Sequence, residues 1–257
     1  MTDLLTAQNL FLSRARAGGP AVDVLRGLSL SVRSGETVAL IGASGTGKTT
    51  LAHVLAGLLR PSAGQVTYKG ADVQALSQKQ HRPLRCELQM IFQDPYSSLD
   101  PRQSVEAVLR EALLFHPLSE AEKQGRIRAT LHDMALPEDV LSRRAHEFSG
   151  GQRQRIAIAR ALVGQPALII ADEAVSALDV SVQARVLNTL LMQQQRTGLS
   201  LVFISHDMAV VRHMAHRVMV LDQGQVVEEG PAEQIFTAPR SDTARMLLQH
   251  SREKELS

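Results

Sequence analysis

The residues whose types and spacing most plainly suggest chemistry are Gly42-Ala43-Ser44-Gly45-Thr46-Gly47-Lys48-Thr49-Thr50, which fit the pattern G-x-x-x-x-G-K-[ST]. They follow directly on the apolar run Thr37-Val38-Ala39-Leu40-Ile41 and precede a helix pattern of Leu51, Ala52, Val54, Leu55 and Leu58. A buried strand running through a glycine-rich turn into a helix is the setting in which this spacing cradles a polyphosphate. Glycine permits torsions that turn successive N–H groups into one concavity, and the helix N-terminus behind them adds partial positive charge. In that arrangement Lys48 reaches the β- and γ-phosphates, and the Thr49 hydroxyl is offered to Mg²⁺.

Two carboxylates, Asp172 and Glu173, close a second apolar run, Ala167-Leu168-Ile169-Ile170-Ala171. The carboxyl end of a strand is where an open α/β sheet places its ligands. Asp172 is placed there to hold Mg²⁺, directly or through water, and Glu173 to polarise a water for in-line attack on a γ-phosphate. Asp-Glu after a lone apolar strand is more often a helix-capping pair; a phosphate cradle in the same chain reverses that preference. His206 follows a third run, Leu201-Val202-Phe203-Ile204-Ser205, at the same kind of edge. Ser149-Gly150-Gly151-Gln152 opens a further helix pattern. By itself this is an ordinary cap, yet its exposed amides also form a second anion site. One cradle and two phosphate-seeking helix ends in one chain invite a dimer that sandwiches nucleotide between its copies. His213 and His216 imitate metal-ligand spacing, but a half-exposed helix face explains them better.

These groups need a scaffold that brings strand ends to a common edge. Strands over 37–41, 167–173 and 199–205, alternating with helix patterns over 181–196 and 208–216, argue a right-handed parallel sheet covered by helices. Strands over 4–12 and 22–32 enclose a loop over 13–20, and alternation in the second suggests an antiparallel flank. Residues 60–64 turn into a short strand over 65–68 closed by Lys69-Gly70, a polar helix covers 77–85, and 88–92 return to strand. Between 94 and 145, Pro95, Pro101, Pro117 and Pro137 punctuate amphipathic segments over 104–114 and 119–134, the pattern of an inserted helical sub-domain. A helix beyond Gln152 carries Ile156, Ile158, Ala159, Leu162 and Val163, and strands over 218–222 and 225–229 close the pattern. The Gln193-Gln194-Gln195 run reads as a solvated helix face.

A chain of 257 residues is long enough for one large α/β domain or a core with a sub-domain. Its 28 basic and 26 acidic residues leave a formal net charge of +2, which is no nucleic-acid footprint. The lone Cys86 excludes an intramolecular disulfide framework and fits a reducing compartment. No apolar run approaches the roughly 18 residues needed to span a bilayer, and residues 1–20 lack the continuous apolar core of a signal peptide. The chain is therefore expected in the cytosol.

Taken in order, the motifs resemble those of the nucleotide-binding subunit of an ABC transporter over essentially the whole chain. Gly42 to Thr49 resembles the Walker A motif, Gln93 the Q-loop, Ser149-Gly150-Gly151-Gln152 the signature motif, and Leu168 to Asp172 Walker B with Glu173 as catalytic base. Ser176-Ala177-Leu178-Asp179 resembles the D-loop and His206 the switch histidine. The resemblance implies an α/β fold: a RecA-like P-loop core with a parallel sheet, an antiparallel β flank and an inserted helical sub-domain over about 94–145, all in a single ABC ATPase domain over 1–257. It implies two ATPs clamped between two subunits, each touching one subunit's Walker A and the other's signature. Gln93 would contribute to Mg²⁺ and sense the γ-phosphate, Glu173 would orient the water, and His206 would hold the γ-phosphate.

The departures from the pattern are specific. Such subunits usually stack adenine on an aromatic residue in the first loop; Arg14 occupies that place here, with Phe11 three residues earlier, and a guanidinium plane also stacks on a base. Phe148 replaces the usual leucine of the signature, and Ala174-Val175 a common Pro-Thr after the catalytic Glu. None of these removes a polar group from the hydrolytic machinery, so an active ATPase is expected. The stretch from Phe92 to Arg102 and Ala177 to Ala184 resemble the peptide/nickel importer ATPases, with Glu173-Ala174-Val175-Ser176 closer to the nickel-type second ATPase. The implied partners are a second ATPase subunit, identical or paralogous, two membrane permease subunits and, indirectly, a solute-binding protein, with no nucleic acid. The implied place is the cytoplasmic face of the inner membrane, bound peripherally. Exposed Tyr96 and Leu99 with neighbouring prolines are candidates for the permease contact. The alternatives are an ATPase subunit of a soluble complex, as in phosphonate breakdown, and a soluble ABC protein acting on ribosomes or DNA.

Overall fold

The computed structural model describes residues 3–16, 19–75, 78–94 and 98–255. Its strands are β1 (Asp3–Arg16), β2 (Gly19–Arg33), β3 (Thr37–Ile41), β4 (Ala63–Tyr68), β5 (Ala71–Asp72), β6 (Leu88–Ile91), β7 (Leu168–Asp172), β8 (Ser200–Ile204), β9 (Arg217–Asp222) and β10 (Gln225–Pro231). Its helices are α1 (Lys48–Leu55), α2 (Gln78–Glu87), α3 (Val105–Ala112), α4 (Glu120–Asp133), α5 (Gly150–Leu162), α6 (Val180–Thr197), α7 (Met208–Met214), α8 (Ala232–Thr237) and α9 (Asp242–Glu255). They form two compact units, one of Met1–Ser77 with Ser200–Ser257 and one of Gln78–Leu199.

In the first unit β3 is flanked by parallel partners, β8 from Thr37↔Leu201 to Leu40↔Ile204 and β9 from Val38↔Arg217 to Ile41↔Val220. Every residue of β3 and β8 is buried, which is why both read as unbroken apolar runs rather than alternating ones. The strand β10 turns back antiparallel on β9 and alternates in burial along its length, as a strand with one wet face does. A separate antiparallel sheet runs in the order β2-β1-β4-β5. The Arg217 guanidinium ties the two sheets together, donating to Glu36 at 2.9 Å and to the Ser31 carbonyl.

Several sequence expectations are corrected here. The loop expected over 13–20 is largely strand, because the ladder continues through Ser13↔Asp23, Arg14↔Val22 and Arg16↔Gly19. The Ser13 hydroxyl donates to the Asp23 carboxylate at 2.7 Å across it, so polar residues that suggested a loop pair in an exposed hairpin instead. Gly18 lies outside the described residues. Helix α1 ends at Leu55, and Leu58, which the periodicity assigns to it, is 59% exposed beyond the cap. Helix α7 ends at Met214, so His216 shares no helix face with His213. Its Nδ1 instead accepts from the Thr37 N–H at 2.9 Å, a structural role at the start of β3. Helices α8 and α9 are not evident from the sequence, where Ile235, Ala244 and Leu248 are sparse apolar residues among polar ones. They form by packing on Ala39, Ile41, Val218 and Val220 of β3 and β9.

The second unit contains the parallel pair β6 and β7, in register from Leu88↔Leu168 to Ile91↔Ala171. Among the described residues over 94–145, the named regular elements are α3, α4 and two 3₁₀ turns, Glu138–Ser142 and Ala145–Glu147. Their starts follow from cap chemistry. Ser104 accepts from the Ala107 N–H, and Ser119 with Glu122 forms a reciprocal capping box. Arg155 of α5 donates to the Met134 and Ala135 carbonyls at 3.2 and 3.0 Å, fastening the end of α4 to α5. Leu99 is 5% exposed and belongs to the core, contrary to the expectation that it is presented to a partner. Pro95 and Tyr96 lie outside the described residues.

Candidate functional site

The cradle begins where β3 runs out. A Cβ placed on Gly42 would lie 2.4 Å from the Leu221 carbonyl oxygen, so only glycine lets the chain leave the strand beside β9. Gly47 caps α1 at φ 102°, a left-handed conformation, and a Cβ there would also press on the Val24 carbonyl oxygen at 2.9 Å. Ala43, Ser44 and Gly45 between them are exposed, whereas Thr46 and Gly47 are buried. The buried Lys48 curls back over the turn, its Nζ donating to the Gly42 and Ala43 carbonyls at 2.8 and 2.7 Å. Thr46 closes the same turn by donating to the Ala43 carbonyl at 3.0 Å. The ammonium is therefore anchored at the rim of the concavity, with the Thr49 side chain exposed beside it and Thr50 buried.

His206 stands two residues past the end of β8. Since β8 and β3 are parallel and in register through Leu40↔Ile204, both Gly42 and His206 leave the sheet at one edge. They line a common cavity of about 560 Å³ with Ala43, Ser44, Asp207 and, from α9, His250. The Asp207 carboxylate caps α7, accepting from the Ala209 and Val210 N–H groups at 2.9 and 3.2 Å, which fixes the turn that presents His206.

In the second unit, parallel register again does the positioning. Ile91 is opposite Ala171, so Gln93 and the pair Asp172-Glu173 follow neighbouring strands out of the same edge. Gln93 Nε2 donates to Glu173 Oε2 at 2.7 Å. Asp172 is 2% exposed, whereas Glu173 is half-buried and Gln93 exposed. Glu173 adopts φ 46°, a left-handed conformation that costs a non-glycine residue strain and concentrates at functional sites. Its carbonyl accepts from the Ser176 hydroxyl and N–H at 2.9 and 3.2 Å, which holds that turn.

Ser149 caps α5 with Gln152 in a reciprocal box: Ser149 Oγ accepts from the Gln152 N–H at 3.3 Å, and Gln152 Oε1 from the Ser149 N–H at 3.0 Å. Gly150 has open space where a side chain would stand, so an anion has access to the amides of this helix end. Phe148, in place of leucine, is 3% exposed with the Arg143 guanidinium stacked 4.3 Å from its ring centre. Asp179 caps α6, and the Val182 amide and Ser181 hydroxyl hold its carboxyl below the usual carboxylate range.

Arg14 is exposed on the β1–β2 hairpin opposite Val22. Phe11, the nearby aromatic, lies against Gly27, whose added Cβ would meet its ring at 3.1 Å. One functional candidate escaped the sequence reading: Gln154, 1% exposed, which bonds to the chain at both Phe92 and Ala174. A signal was present, a polar residue on a helix otherwise burying Ile156, Ala157 and Ile158. It could not be weighed without knowing which face is covered.

A turn with no room for a Cβ at Gly42 or Gly47, an anchored ammonium and the exposed residues Ala43, Ser44 and Gly45 fit a polyphosphate. A hydroxyl and a carboxylate are the hard oxygen donors that Mg²⁺ takes, completed by phosphate oxygens. Among the described residues no group of three or more His, Cys, Asp or Glu could hold a metal without such help.

Known proteins share both sequence and fold with this chain. The family described as ABC transporter matches residues 25–176. An ATP-binding protein of Brucella ovis named for peptide import is 44% identical over 248 residues, spanning 96% of this chain and 78% of the relative. The oligopeptide transport ATP-binding protein OppD of Mycobacterium bovis is 43% identical over 242 residues, spanning 94% of this chain and 39% of the relative. Among solved structures, the dimeric post-hydrolysis state of the ATP-binding cassette MJ0796 bound to ADP and Pi has a TM-score of 0.81 at 26% identity, covering 89% of this chain and 98% of that one. The cbiO1 structure from Clostridium perfringens, part of the cbiONQ complex, has a TM-score of 0.76 at 28% identity, covering 93% and 92%.

Proposed function

Since the chain belongs to the ABC transporter family and is one of its ATPases, we propose that it hydrolyses ATP to drive import of peptides through a membrane permease. The observation that carries the hydrolytic part is the 2.7 Å bond between Gln93 and Glu173 at a strand's carboxyl end, in a chain that also holds an anchored-lysine phosphate cradle. The relatives' names carry the cargo. Peptides are preferred to the nickel chelates toward which Glu173-Ala174-Val175-Ser176 leans, because the relatives are named for peptide import and oligopeptide transport.

In this reading the amides from Ala43 to Thr50 and the Lys48 ammonium hold the β- and γ-phosphates. Gln93 fixes the Glu173 carboxylate, which orients the attacking water and accepts its proton. His206 holds the γ-phosphate from its own strand end. When bound, Mg²⁺ neutralises phosphate charge, held by the Thr49 hydroxyl, Asp172 and Gln93. The Ser149 to Gln152 helix end and Asp179 serve the nucleotide of a second ATPase subunit, identical or paralogous. No helix of the described residues is long and apolar enough to cross a membrane. In this reading two permease subunits supply the pore, and the ATPase binds them from the cytoplasmic face. A solute-binding protein delivers the cargo on the other side. The region over 94–145 acts as the helical sub-domain of one ABC ATPase domain.

The test is a mild-detergent pull-down of tagged protein from its own membranes, read by mass spectrometry. Permease subunits with a second ATPase are expected; recovery with soluble enzymes or ribosomes alone would sink the transport reading. Base recognition is tested separately. Arg14→Ala is expected to weaken ATP binding about three- to tenfold, from loss of a stacked guanidinium worth roughly 1 kcal/mol. An ATP dissociation constant that does not move in calorimetry makes Arg14 a solvated hairpin charge.

A further inference from the structure

Gln154 makes a connection beyond the hydrolytic roles of Gln93, Glu173 and His206. Its amide is buried at 1% exposure, and Nε2 donates to the Ala174 carbonyl at 2.7 Å and to the Phe92 carbonyl at 3.3 Å. The first acceptor directly follows Glu173 and the second directly precedes Gln93, whose side chains bond to each other. The result is a closed ring: Phe92 to Gln93, across to Glu173, on to Ala174, and back through Gln154.

The chemistry of the amide fixes its orientation. Both neighbours are carbonyl oxygens, so only the NH₂ end satisfies them, and the reversed amide would set oxygen against oxygen. The consequence is that Oε1 is buried with no hydrogen-bond partner. A buried acceptor in that state costs stability, which an apolar side chain at this position would avoid, as its neighbours Ile156 and Ile158 do. Packing therefore does not account for the amide. Glu173, meanwhile, is held in a left-handed conformation, which persists only where the surroundings over-determine it. The bond to the next residue's carbonyl is one such constraint.

We propose that Gln154 is a positioning residue for ATP hydrolysis: it sets the spacing of the chain segments that carry Gln93 and Glu173, so that the two side chains meet in the water-orienting geometry. This rests on the proposed role of Glu173. Gln154 lies two residues after Gln152 in α5, so a displacement of the Ser149 helix end moves both segments at once. Engagement of that end is thereby linked to the alignment of the carboxylate in the same subunit.

The test compares Gln154→Leu with wild type in the full-length chain. Gln154→Leu is expected to lower kcat about ten- to hundredfold, the scale of a small misplacement of a catalytic group, with the dissociation constant for ATP unchanged. Thr189→Val is the control. It removes a different buried polar group of the same unit, a hydroxyl that donates to the Arg185 and Asp133 carbonyls at 3.0 and 3.2 Å, and is expected to lower Tm while keeping kcat. In a double-mutant cycle with Gln93→Ala, the two losses should be markedly less than multiplicative if Gln154 acts through Gln93 and Glu173. Wild-type kcat in Gln154→Leu, or a loss that tracks only the folded fraction and multiplies with that of Gln93→Ala, overturns the proposal. Should Gln154→Leu not fold, Gln154→Asn carries the test: its shorter amide reaches one carbonyl only, so a smaller loss of kcat is expected and none overturns it. Full turnover in Glu173→Gln would instead remove the premise, whereas an inactive Glu173→Gln beside a fully active Gln154→Leu overturns this inference alone.

Discussion

Glu173→Gln is expected to bind ATP as wild type does and to lose steady-state turnover by about 10²- to 10⁴-fold, the range that a positioned general base contributes. The substitution is isosteric, so the residue still fits its left-handed turn, and the bonds from the Ser176 hydroxyl and N–H are made to its main-chain carbonyl and survive. What disappears is the charge. The Gln93 amide that donates to the carboxylate at 2.7 Å meets another amide instead, and no group remains to take a proton from water. The phosphate cradle is untouched, so ATP stays bound and the nucleotide-loaded dimer accumulates. Phosphate release assays measure the first effect, and sedimentation with ATP and Mg²⁺ the second. Hydrolysis at the wild-type rate would falsify the role of Glu173.

Lys48→Ala acts at the opposite stage and is expected to weaken ATP binding itself by about 10- to 100-fold. A hydrogen bond to a charged group contributes roughly 1.5–3 kcal/mol, which is one to two powers of ten in a dissociation constant. The structure sharpens the expectation in two ways. Lys48 is only 9% exposed, so its removal leaves a gap at the first turn of α1. The Gly42 and Ala43 carbonyls, which now accept from Nζ at 2.8 and 2.7 Å, would face the concavity unpaired and repel an anion. Some of the lost affinity is therefore loop disorder rather than lost attraction. Lys48→Met separates the two, since it restores the buried stem without the charge. Calorimetry on all three proteins reads the difference, and unchanged affinity in Lys48→Ala would remove the cradle from nucleotide binding.

What the sequence by itself determined are the features that depend on local chemistry. The glycines of the cradle, the helical segments that begin after Ser104 and Ser119 and the largely apolar runs of β3, β7 and β8 are dictated by near neighbours and by burial on both faces, and each lies where it was expected. The order of the motifs pointed to an ABC ATPase because that spacing is written along the chain. The tertiary structure decided the rest. Whether residues 13–16 are loop or strand depends on the partner across the hairpin, and the polar pairing of Ser13 with Asp23 has no signature in either segment alone. Helices α8 and α9 exist because β3 and β9 offer an apolar surface from elsewhere in the chain. His216 became a partner of Thr37, 179 residues away, rather than a helix-face residue. Gln154 shows the distinction most clearly. Its type and position are legible in the sequence, but its two carbonyl partners come from segments 62 and 20 residues distant, and only folding brings them within reach of one amide.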